Sequence, residues 1–293
     1  MIERLTLRQD YFDDPAALQA LADLLHDVFG IDITVQNRLG GPDPSSMPFG
    51  YFDEAGRCVA NFSAFSMPLV VEGRIVKAAG YQSGAVRPEF RGRGLYRDLM
   101  DRAFTWADAE GFEAGILLTD KPDLYRSYGV QICPQFLSSG DCPQSGSGEV
   151  QARDINLTNV DDVQLVSDIL ANRQPVSTVF AVQRQSEMFL LNALFDPEIR
   201  LSYLPAFGAI IAWKIERDRL QMLDIAAAAI PSISDICSAL GVSANRLDVF
   251  FPTDQLSWTG DPQPYSGSCA LMIKGIEPSA FPAHLMLSPM ADF

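Results

Sequence analysis

The residues best suited to chemistry stand in one short turn, where two arginines and two glycines alternate between residues 91 and 94. Pro88 ends the apolar segment before this turn, because proline lacks an amide donor. Leu95, Leu99 and Met100 follow at helical spacing, so the turn also starts a helix. Glycines let an anion approach the backbone, and the unpaired amides and positive dipole end of a helix N-terminus attract it. Together with the guanidinium groups, these features predict a cradle for a diphosphate.

Two commoner phosphate loops do not fit this turn. A Walker loop requires a lysine, and residues 91–97 contain none. The dinucleotide fingerprint Gly-x-Gly-x-x-Gly could begin at Gly92, but it then needs a glycine where Arg97 stands. An exposed basic loop that only caps a surface helix is the alternative without a ligand, and the short motif alone leaves it open.

The turn resembles the Arg/Gln-x-x-Gly-x-Gly/Ala signature of the GNAT N-acetyltransferase superfamily, and it also resembles the corresponding turn of the mycobacterial Eis-like branch. The residues that carry the resemblance are Arg91, Gly92, Arg93, Gly94, Leu95 and Tyr96. Tyr96 departs from the family rule, which has a small residue there. The resemblance implies that these six residues bind the diphosphate of acetyl-CoA. It also implies that the backbone amides of Ala85 and Val86 meet the acetyl carbonyl and the pantetheine arm.

A second motif follows about thirty residues later. The stretch 124–130 resembles the family's Tyr-x-x-x-Gly-Phe motif, with Tyr125 and Gly129 in place and Val130 for phenylalanine. The resemblance implies that Tyr125 is the general acid that protonates the departing thiolate. The alternative is a tyrosine that packs at the edge of the core. Tyr128 is the less favoured donor, because its position is usually an apolar packing residue.

The order of apolar and turn segments predicts β-α-β-β-β-α-β-α-β over residues 1–137, with the last of these helices over residues 121–129, and this order matches the GNAT fold. Ser- and Gly-rich residues 138–149 are predicted to be a linker. Residues 150–293 repeat the pattern in outline, with a helix predicted near residues 160–172. Residues 225–231, where a second cradle would lie, contain neither glycine nor arginine. We therefore expect an α/β (α+β mixed-sheet) protein of two tandem GNAT-like domains, the second degenerate. The sterol-carrier-like third domain of the Eis-like branch is expected to be absent.

Composition limits the function further. Of 293 residues, 47% are hydrophobic and 20% charged, which is typical of a globular protein. The net charge of −15 disfavours a nucleic-acid partner and suits a cationic substrate, although it also serves solubility. Five cysteines without a Cys-x-x-Cys pair favour a reduced, cytoplasmic setting, and no signal-peptide or membrane-spanning run indicates a membrane partner. The isolated His26 and His284 give no metal-ligand spacing, so no metal is expected.

We therefore expect an acetyl-CoA-dependent N-acetyltransferase that acts by direct transfer on a primary amine, either a small molecule or a lysine side chain. The alternatives are a non-catalytic acetyl-CoA sensor and an aminoacyl transferase of the tandem-GNAT type; a homo-oligomer is left open. One hypothesis concerns Phe293, the last residue of an apolar run. Eis-like chains also end in phenylalanine, and the resemblance implies that its α-carboxylate helps to deprotonate the amine, here from its own or a partner subunit.

Overall fold

The computed structural model describes residues 4–143 and 152–293. These residues form two compact units. Unit 1 contains the described residues up to Met67 together with Lys77–Leu117. Unit 2 contains Pro68–Val76 together with the described residues from Leu118 to Phe293.

The helices and strands of both units are numbered in chain order. The α-helices are α1 (Pro15–Phe29), α2 (Leu95–Ala109), α3 (Val160–Asn172), α4 (Ser186–Phe195) and α5 (Ile233–Leu240). Short 3₁₀ helices cover Ile33–Arg38, Pro88–Phe90, Pro122–Leu124, Arg126–Tyr128, Pro278–Ala280 and Pro289–Ala291. The strands are β1 (Thr6–Gln9), β2 (Met47–Phe52), β3 (Cys58–Ser66), β4 (Leu69–Val71), β5 (Arg74–Val76), β6 (Ala78–Val86), β7 (Ala114–Thr119), β8 (Gln131–Ile132), β9 (Gln135–Asp141), β10 (Arg153–Asp154), β11 (Phe180–Val182), β12 (Arg200–Leu204), β13 (Ala209–Glu216), β14 (Arg219–Ala226), β15 (Arg246–Val249), β16 (Asp261–Tyr265) and β17 (Ala270–Lys274).

Unit 1 contains a mixed sheet, and the helices α1 and α2 both pack against its strands β3 and β6. Strands β1, β2, β3, β6 and β7 are neighbours in this order, and only β6 and β7 are parallel. α1 begins where the Asp14 carboxylate accepts from the amides of the first turn and Pro15 presets the helical backbone. Its buried Leu21 and Leu24 pack in one cluster with Ala85 of β6. This packing fixes the strand that leads into the arginine–glycine turn.

Unit 2 contains a seven-stranded sheet with the order β10-β12-β13-β14-β15-β9-β16. Its one parallel pair, β14 and β15, is joined by α5. The buried Ile236 of α5 lies in one core cluster with Trp213 and Phe251. The β4–β5 hairpin forms a separate small sheet with β11, and β8 pairs with β17.

The predicted mixed α/β class is confirmed, and α3 begins and ends at the residues that the helical pattern indicates. Three segments differ from prediction. Residues 138–141 of the predicted linker belong to β9, which pairs with β15 and β16, while residues 144–149 lie outside the described residues. The helix predicted over 121–129 is two 3₁₀ turns. β16 was not predicted, because Pro262 and Pro264 read as loop; β16 is the last strand of its sheet, where proline is tolerated. The division into domains stays a prediction.

Candidate functional site

The arginine–glycine turn of unit 1 has the backbone that an anion cradle requires. Gly92 and Gly94 both lie in the left-handed region, with φ of 74° and 79°. A Cβ atom built on either glycine meets no heavy atom within 4 Å, so the space in front of both is open. A side chain there would strain the backbone and fill that space.

The helix that follows the turn leaves its first amides without a side-chain cap. Gly94 is the N-cap of α2 and has no side chain to accept from them. In the corresponding β-α-β unit of the second sheet, Ser232 caps α5, and its hydroxyl accepts from the amide of Asp235 at 3.1 Å. The N-terminus of α2 is therefore the one of this pair that is available to a ligand.

Both arginines of the turn are exposed and are held by the backbone around them. Arg91 Nε donates to the carbonyl of Val86 at 3.2 Å. Arg93 donates to the carbonyl of Glu89 at 3.1 Å, and its guanidinium lies 4.6 Å from the ring centre of the buried Phe90. These contacts orient two positive charges before any ligand arrives.

One acid lies in the first turn of α2, but its charge is compensated. Asp98 accepts from Arg102 Nε at 2.7 Å and from the hydroxyl of Tyr51 at 2.8 Å. The hydrogen bond from Arg102, followed by that from Tyr51, lowers the pKa of Asp98. The carboxylate therefore stabilises the start of α2, and Arg102 offsets its negative charge.

At the end of β6, the backbone polar groups of Ala85 and Val86 point to opposite edges of the strand. The amide of Arg87 donates to the carbonyl of Val59 on β3 at 2.9 Å. Since the polar groups of an antiparallel strand alternate between its two edges, those of Val86 point away from β3 and those of Ala85 point toward it. The carbonyl of Val86 accordingly accepts from Arg91. The peptide group of Val86 thus lies at the edge of β6 that bears the turn.

A β-bulge shapes the same strand. The register between β3 and β6 shifts between Asn61 and Ser63, and Ser83 on β6 has a φ of 57°, which is strained for serine. The side-chain amide of the fully buried Asn61 donates to the carbonyl of Ser83 at 2.9 Å and so holds the bulge. Neither Asn61 nor the bulge could be predicted from the sequence, because neither has a short-range signal.

Tyr96, which departs from the signature, packs against β3 and β6. A Cβ atom on Gly84 would lie 2.4 Å from the hydroxyl oxygen of Tyr96, so the Tyr96 side chain occupies the space that this glycine leaves. The ring also packs edge-on to Phe62, with 5.6 Å between the ring centres. Tyr96 is therefore a packing residue of the strand–helix junction.

The parallel strands of unit 1 share only a short ladder. The paired residues end at Gly80 and Ile116, whereas β6 continues to Val86. The ring of Tyr81 lies against the backbone of Gly115, where a Cβ atom would be 2.5 Å away. Six residues of β6, 81–86, therefore extend beyond the ladder with β7, and their outer edge leads to the turn.

Tyr125 lies in unit 2, at the junction of the two 3₁₀ turns. The side chain is buried, with 7% exposure, and the backbone amide donates to the carbonyl of Pro122 at 3.1 Å. Tyr128 is half-buried, and its amide donates to the carbonyl of Tyr125 at 3.0 Å. The role of Tyr125 as an acid stays a prediction.

Unit 2 also contains a cavity of about 120 Å³. Its lining residues are Leu118, Gln135, Tyr265, Gly267, Ser268, Cys269, Met286, Leu287, Pro289, Asp292 and Phe293. Phe293 thus lines a cavity, as the hypothesis about this residue requires, although its part in a reaction stays untested. Asp292, the residue before it, also lines the cavity and was not among the predicted site residues. The Asp292 residue is exposed to solvent on one side. Protein atoms around its carboxyl displace part of the hydration shell, and this loss of hydration raises the pKa of the carboxyl to about 7.

The segment that carries Asp292 is fixed to unit 2 by side chains. The carbonyl of Asp292 accepts from Asn192 of α4 at 2.8 Å. The hydroxyl of Ser288 donates to the carbonyl of Leu223 at 2.9 Å, and the amide of Leu287 donates to Gln135 at 2.9 Å. Residues 285–288 are buried. The cavity wall is therefore a defined part of the fold.

Two cysteines that lie 95 residues apart in sequence meet in the core of unit 2. The sulfur atoms of Cys142 and Cys237 are 3.8 Å apart, and both side chains are buried. The contact with Cys142, followed by burial, raises the pKa of the Cys237 thiol. Among residues 4–143 and 152–293, no group of three or more metal-ligating side chains occurs, and no helix is long and apolar enough to cross a membrane.

Comparison with protein families assigns the part of the chain that holds the turn. Residues 15–133 match the acetyltransferase (GNAT) domain model. This segment is similar to GNAT acetyltransferase domains. It contains the turn, β6 and Tyr125, and it ends before β9 of the seven-stranded sheet of unit 2.

Individual proteins are similar to this chain in sequence over a short segment or in fold over most of its length. An uncharacterized N-acetyltransferase of Streptomyces griseus is 35% identical over 96 residues, which are 32% of this chain and only 23% of that protein. A probable N-acyltransferase of Enterococcus faecalis V583 superimposes with a TM-score of 0.59 at 15% identity over 92% of this chain and 72% of its own. Eis1 from Mycobacterium abscessus gives 0.57 at 13% identity, over 93% and 73%. The structural likeness therefore extends well beyond the GNAT domain.

Proposed function

We propose that this protein is an N-acetyltransferase that moves the acetyl group of acetyl-CoA directly to a primary amine. One observation carries the proposal: within the GNAT domain, two open left-handed glycines and an uncapped helix N-terminus lie beside two exposed, oriented arginines. This arrangement suits a diphosphate, because it supplies unpaired amides, the positive end of a dipole and two guanidinium groups.

The remaining parts of the cosubstrate have candidate contacts on the same strand. The pantetheine arm is an extended chain of amides, and such a chain pairs with a free strand edge as an added strand would. Val86 offers its peptide group at the edge of β6 that bears the turn, and residues 81–86 extend beyond the ladder with β7. We assign the pantetheine contact to Val86. The buried Ala85 packs in one cluster with residues of α1, and we assign it the role of holding this strand in place.

The reaction needs no redox partner. The neutral amine nitrogen attacks the thioester carbonyl, a carbon–nitrogen bond forms, and the carbon–sulfur bond breaks. The amine loses one proton, and the coenzyme A thiolate takes one up. Tyr125 is the proposed donor of that proton, as a phenol held in a buried position on the GNAT domain. The likeness to Eis1 supports an Eis-like enzyme without specifying its amine.

Two measurements on the intact protein test the proposal. Acetyl-CoA in excess should raise the melting temperature, because a ligand of the folded state stabilises it by mass action. Release of free coenzyme A thiol should then depend on the addition of a primary amine. A shift without thiol release on a broad amine panel would favour the sensor. Absence of any shift would refute the cosubstrate assignment.

A further inference from the structure

Two thiols in the core of unit 2 are placed to react with each other. Cys142 directly follows β9, and Cys237 lies in the second half of α5. Their sulfur atoms are 3.8 Å apart, although the two positions are 95 residues apart in the sequence. Within the part of the chain that the structure describes, no other two cysteine sulfurs are in contact. The fold therefore selects one pair from the five cysteines.

The backbone holds both cysteines in place. The amide of Cys142 donates to the carbonyl of Asn245 at 3.1 Å, next to the residues that pair β9 with β15. The carbonyl of Cys237 accepts at 3.1 Å from the amide of Gly241, the residue that ends α5. Both side chains belong to one core cluster. The contact between the two sulfur atoms is therefore a fixed feature of this core.

The surroundings of the pair make Cys142 the more reactive thiol. The hydrogen bond from Cys237 lowers the pKa of Cys142, because it stabilises the thiolate. Burial raises the pKa of Cys58 to about 12 and that of Cys133 to about 11, so these two thiols stay protonated at neutral pH. Since the thiolate is the form that attacks an oxidant, Cys142 is the nucleophile that we expect among the buried cysteines.

The sulfur of Cys142 also lies closer to solvent than that of Cys237. Cys142 retains 5% exposure and has the exposed Asp141 and the half-buried Pro143 as chain neighbours, whereas Cys237 has no exposed surface. A small neutral oxidant therefore meets Cys142 first. Cys237 lies behind it, at the place that suits a second, resolving thiol.

The separation of the sulfur atoms allows a bond to form between them. A disulfide joins two sulfurs at ~2.05 Å, so from 3.8 Å each sulfur has to move by about 1 Å. Rotation of a cysteine side chain about its Cα–Cβ bond moves the sulfur while the backbone stays in place. The hydrogen bonds that hold the two backbones can therefore remain when the disulfide forms.

We propose that Cys142 and Cys237 form a site of reversible oxidation, which hydrogen peroxide converts to a disulfide within unit 2. The Cys142 thiolate attacks one peroxide oxygen, the oxygen–oxygen bond breaks, and hydroxide leaves as Cys142 becomes a sulfenic acid. The Cys237 sulfur then attacks the sulfenic sulfur, a sulfur–sulfur bond forms, and water leaves with the thiol proton. The two sulfurs lose two electrons, and the peroxide oxygens gain them. Neither cysteine belongs to the proposed acetyl-CoA cradle, so the inference does not rest on the proposed function.

The disulfide should stabilise the folded protein. It ties the end of β9 to α5 and closes a loop across 95 residues of chain. A cross-link over a long loop restricts the unfolded chain more than the folded one, in which the two sulfurs are already in contact. We therefore expect the oxidised protein to melt at a higher temperature than the reduced protein.

Mass spectrometry of the intact chain's peptides tests the inference. Wild-type protein is reduced with dithiothreitol, desalted, treated with hydrogen peroxide at neutral pH, blocked with N-ethylmaleimide and digested without reduction. The same treatment in urea reports on the unfolded chain. Cys237→Ser removes the resolving thiol. Cys133→Ser is the matched control, because it removes a buried thiol that lies outside the pair.

We expect the folded wild type to give the Cys142–Cys237 disulfide as its main linked peptide, and dithiothreitol to restore both thiols. In Cys237→Ser, dimedone, which reacts with sulfenic acids, should label Cys142. Cys133→Ser should form the same disulfide as the wild type. The linked wild type should melt several degrees above the reduced form, and Cys237→Ser should melt at one temperature with and without peroxide.

Recovery of both Cys142 and Cys237 as maleimide adducts after peroxide treatment would overturn the inference. A disulfide that forms in urea but not in the folded protein would overturn it as well, because the fold would then keep the thiols apart. So would a linked form that melts below the reduced one. The wild-type measurement decides the question even if Cys237→Ser does not fold. The assay contains no acetyl-CoA, so its failure leaves the proposed function untouched.

Discussion

At the scale of single residues, the proposed acid is the most direct target. Tyr125→Phe removes one hydroxyl from a buried side chain and leaves the ring in place. A general acid contributes about 10²–10⁴-fold to the rate, so kcat should fall by about that factor while acetyl-CoA binding persists. Steady-state thiol release checks this. Tyr128→Phe is the matched control and should keep kcat; a fall in Tyr128→Phe alone would move the role to that residue.

The Asp292 carboxylate predicts a pH-dependent stability. Its pKa in the folded protein, about 7, lies above the usual carboxyl value of ~4, so the folded state holds the proton more tightly than the unfolded chain does. The resulting stabilisation is fully present below pH ~4 and is lost as pH rises through about 7. Asp292→Asn should therefore be more stable than the wild type at pH 8 and should lack this slope.

Urea unfolding at intervals from pH 5 to pH 8 measures that difference. The gap in unfolding free energy between the variant and the wild type should widen in favour of the variant as pH rises. Tyr265 and Cys269 share the wall with Asp292, but both remain in the variant and cancel in the comparison. Parallel curves over this range would show that water hydrates the carboxylate as fully as in the unfolded chain.

Short-range signals in the sequence identify the cradle and not its surroundings. Arg91, Gly92 and Gly94 could be named because adjacent residue types define a turn, and their backbone has the geometry that those types favour. Asn61 on β3 holds the bulge of β6 by a hydrogen bond to Ser83. Asp292 shares its cavity with residues such as Gln135, which lie far from it in the sequence. Such contacts depend on the tertiary fold, so no local sequence pattern predicts them.

At the scale of elements, two helices with the same place in a β-α-β unit show what makes a cradle. α2 follows β6 and starts at the open Gly94, while α5 follows β14 and is capped by Ser232. The first leaves its amides to a ligand, and the second satisfies one of them itself. We expect acetyl-CoA to bind at the first helix alone.

A pair of variants separates the two helix starts. Gly94→Asp places an anion where the diphosphate is proposed to lie and should abolish acetyl-CoA binding measured by thermal shift. Ser232→Ala removes a cap worth about 1 kcal/mol and should lower the melting temperature without changing acetyl-CoA affinity. Retained binding in Gly94→Asp would contradict the cradle, and weakened binding in Ser232→Ala would contradict the assignment of a single binding helix.

Hydrophobic periodicity predicts a helix or strand correctly where one repeat pattern runs along the whole segment. The pattern of α3 runs from Val160 to Asn172 with an asparagine cap, and the structure has the same bounds. The sequence predicted a strand at the start of β9, residues 135–137, but not its second half, residues 138–141, nor β16. Serine, glycine and proline dominate these two segments, and their strand conformation depends on pairing with neighbouring strands. In β9, pairing on both sides overrides a composition that is typical of a linker.

At the scale of the whole molecule, the match to the GNAT domain model covers residues 15–133, less than half of the chain, while the fold likeness to one solved structure covers 92%. The cradle that suits a diphosphate lies in unit 1, and the cavity lined by Asp292 and Phe293 lies in unit 2. A net charge of −15 favours the approach of a cationic amine to the protein.

Calorimetric titration of acetyl-CoA into the wild type and into Arg91→Ala tests the central claim most directly. Arg91 is exposed, so its loss should leave the melting temperature of the free protein unchanged. A charged phosphate contact is worth about 1.5–3 kcal/mol, so the Kd should rise about 10- to 100-fold in the variant. Equal Kd values in the two proteins, or no heat of binding in the wild type, would show that the turn is only the cap of a surface helix.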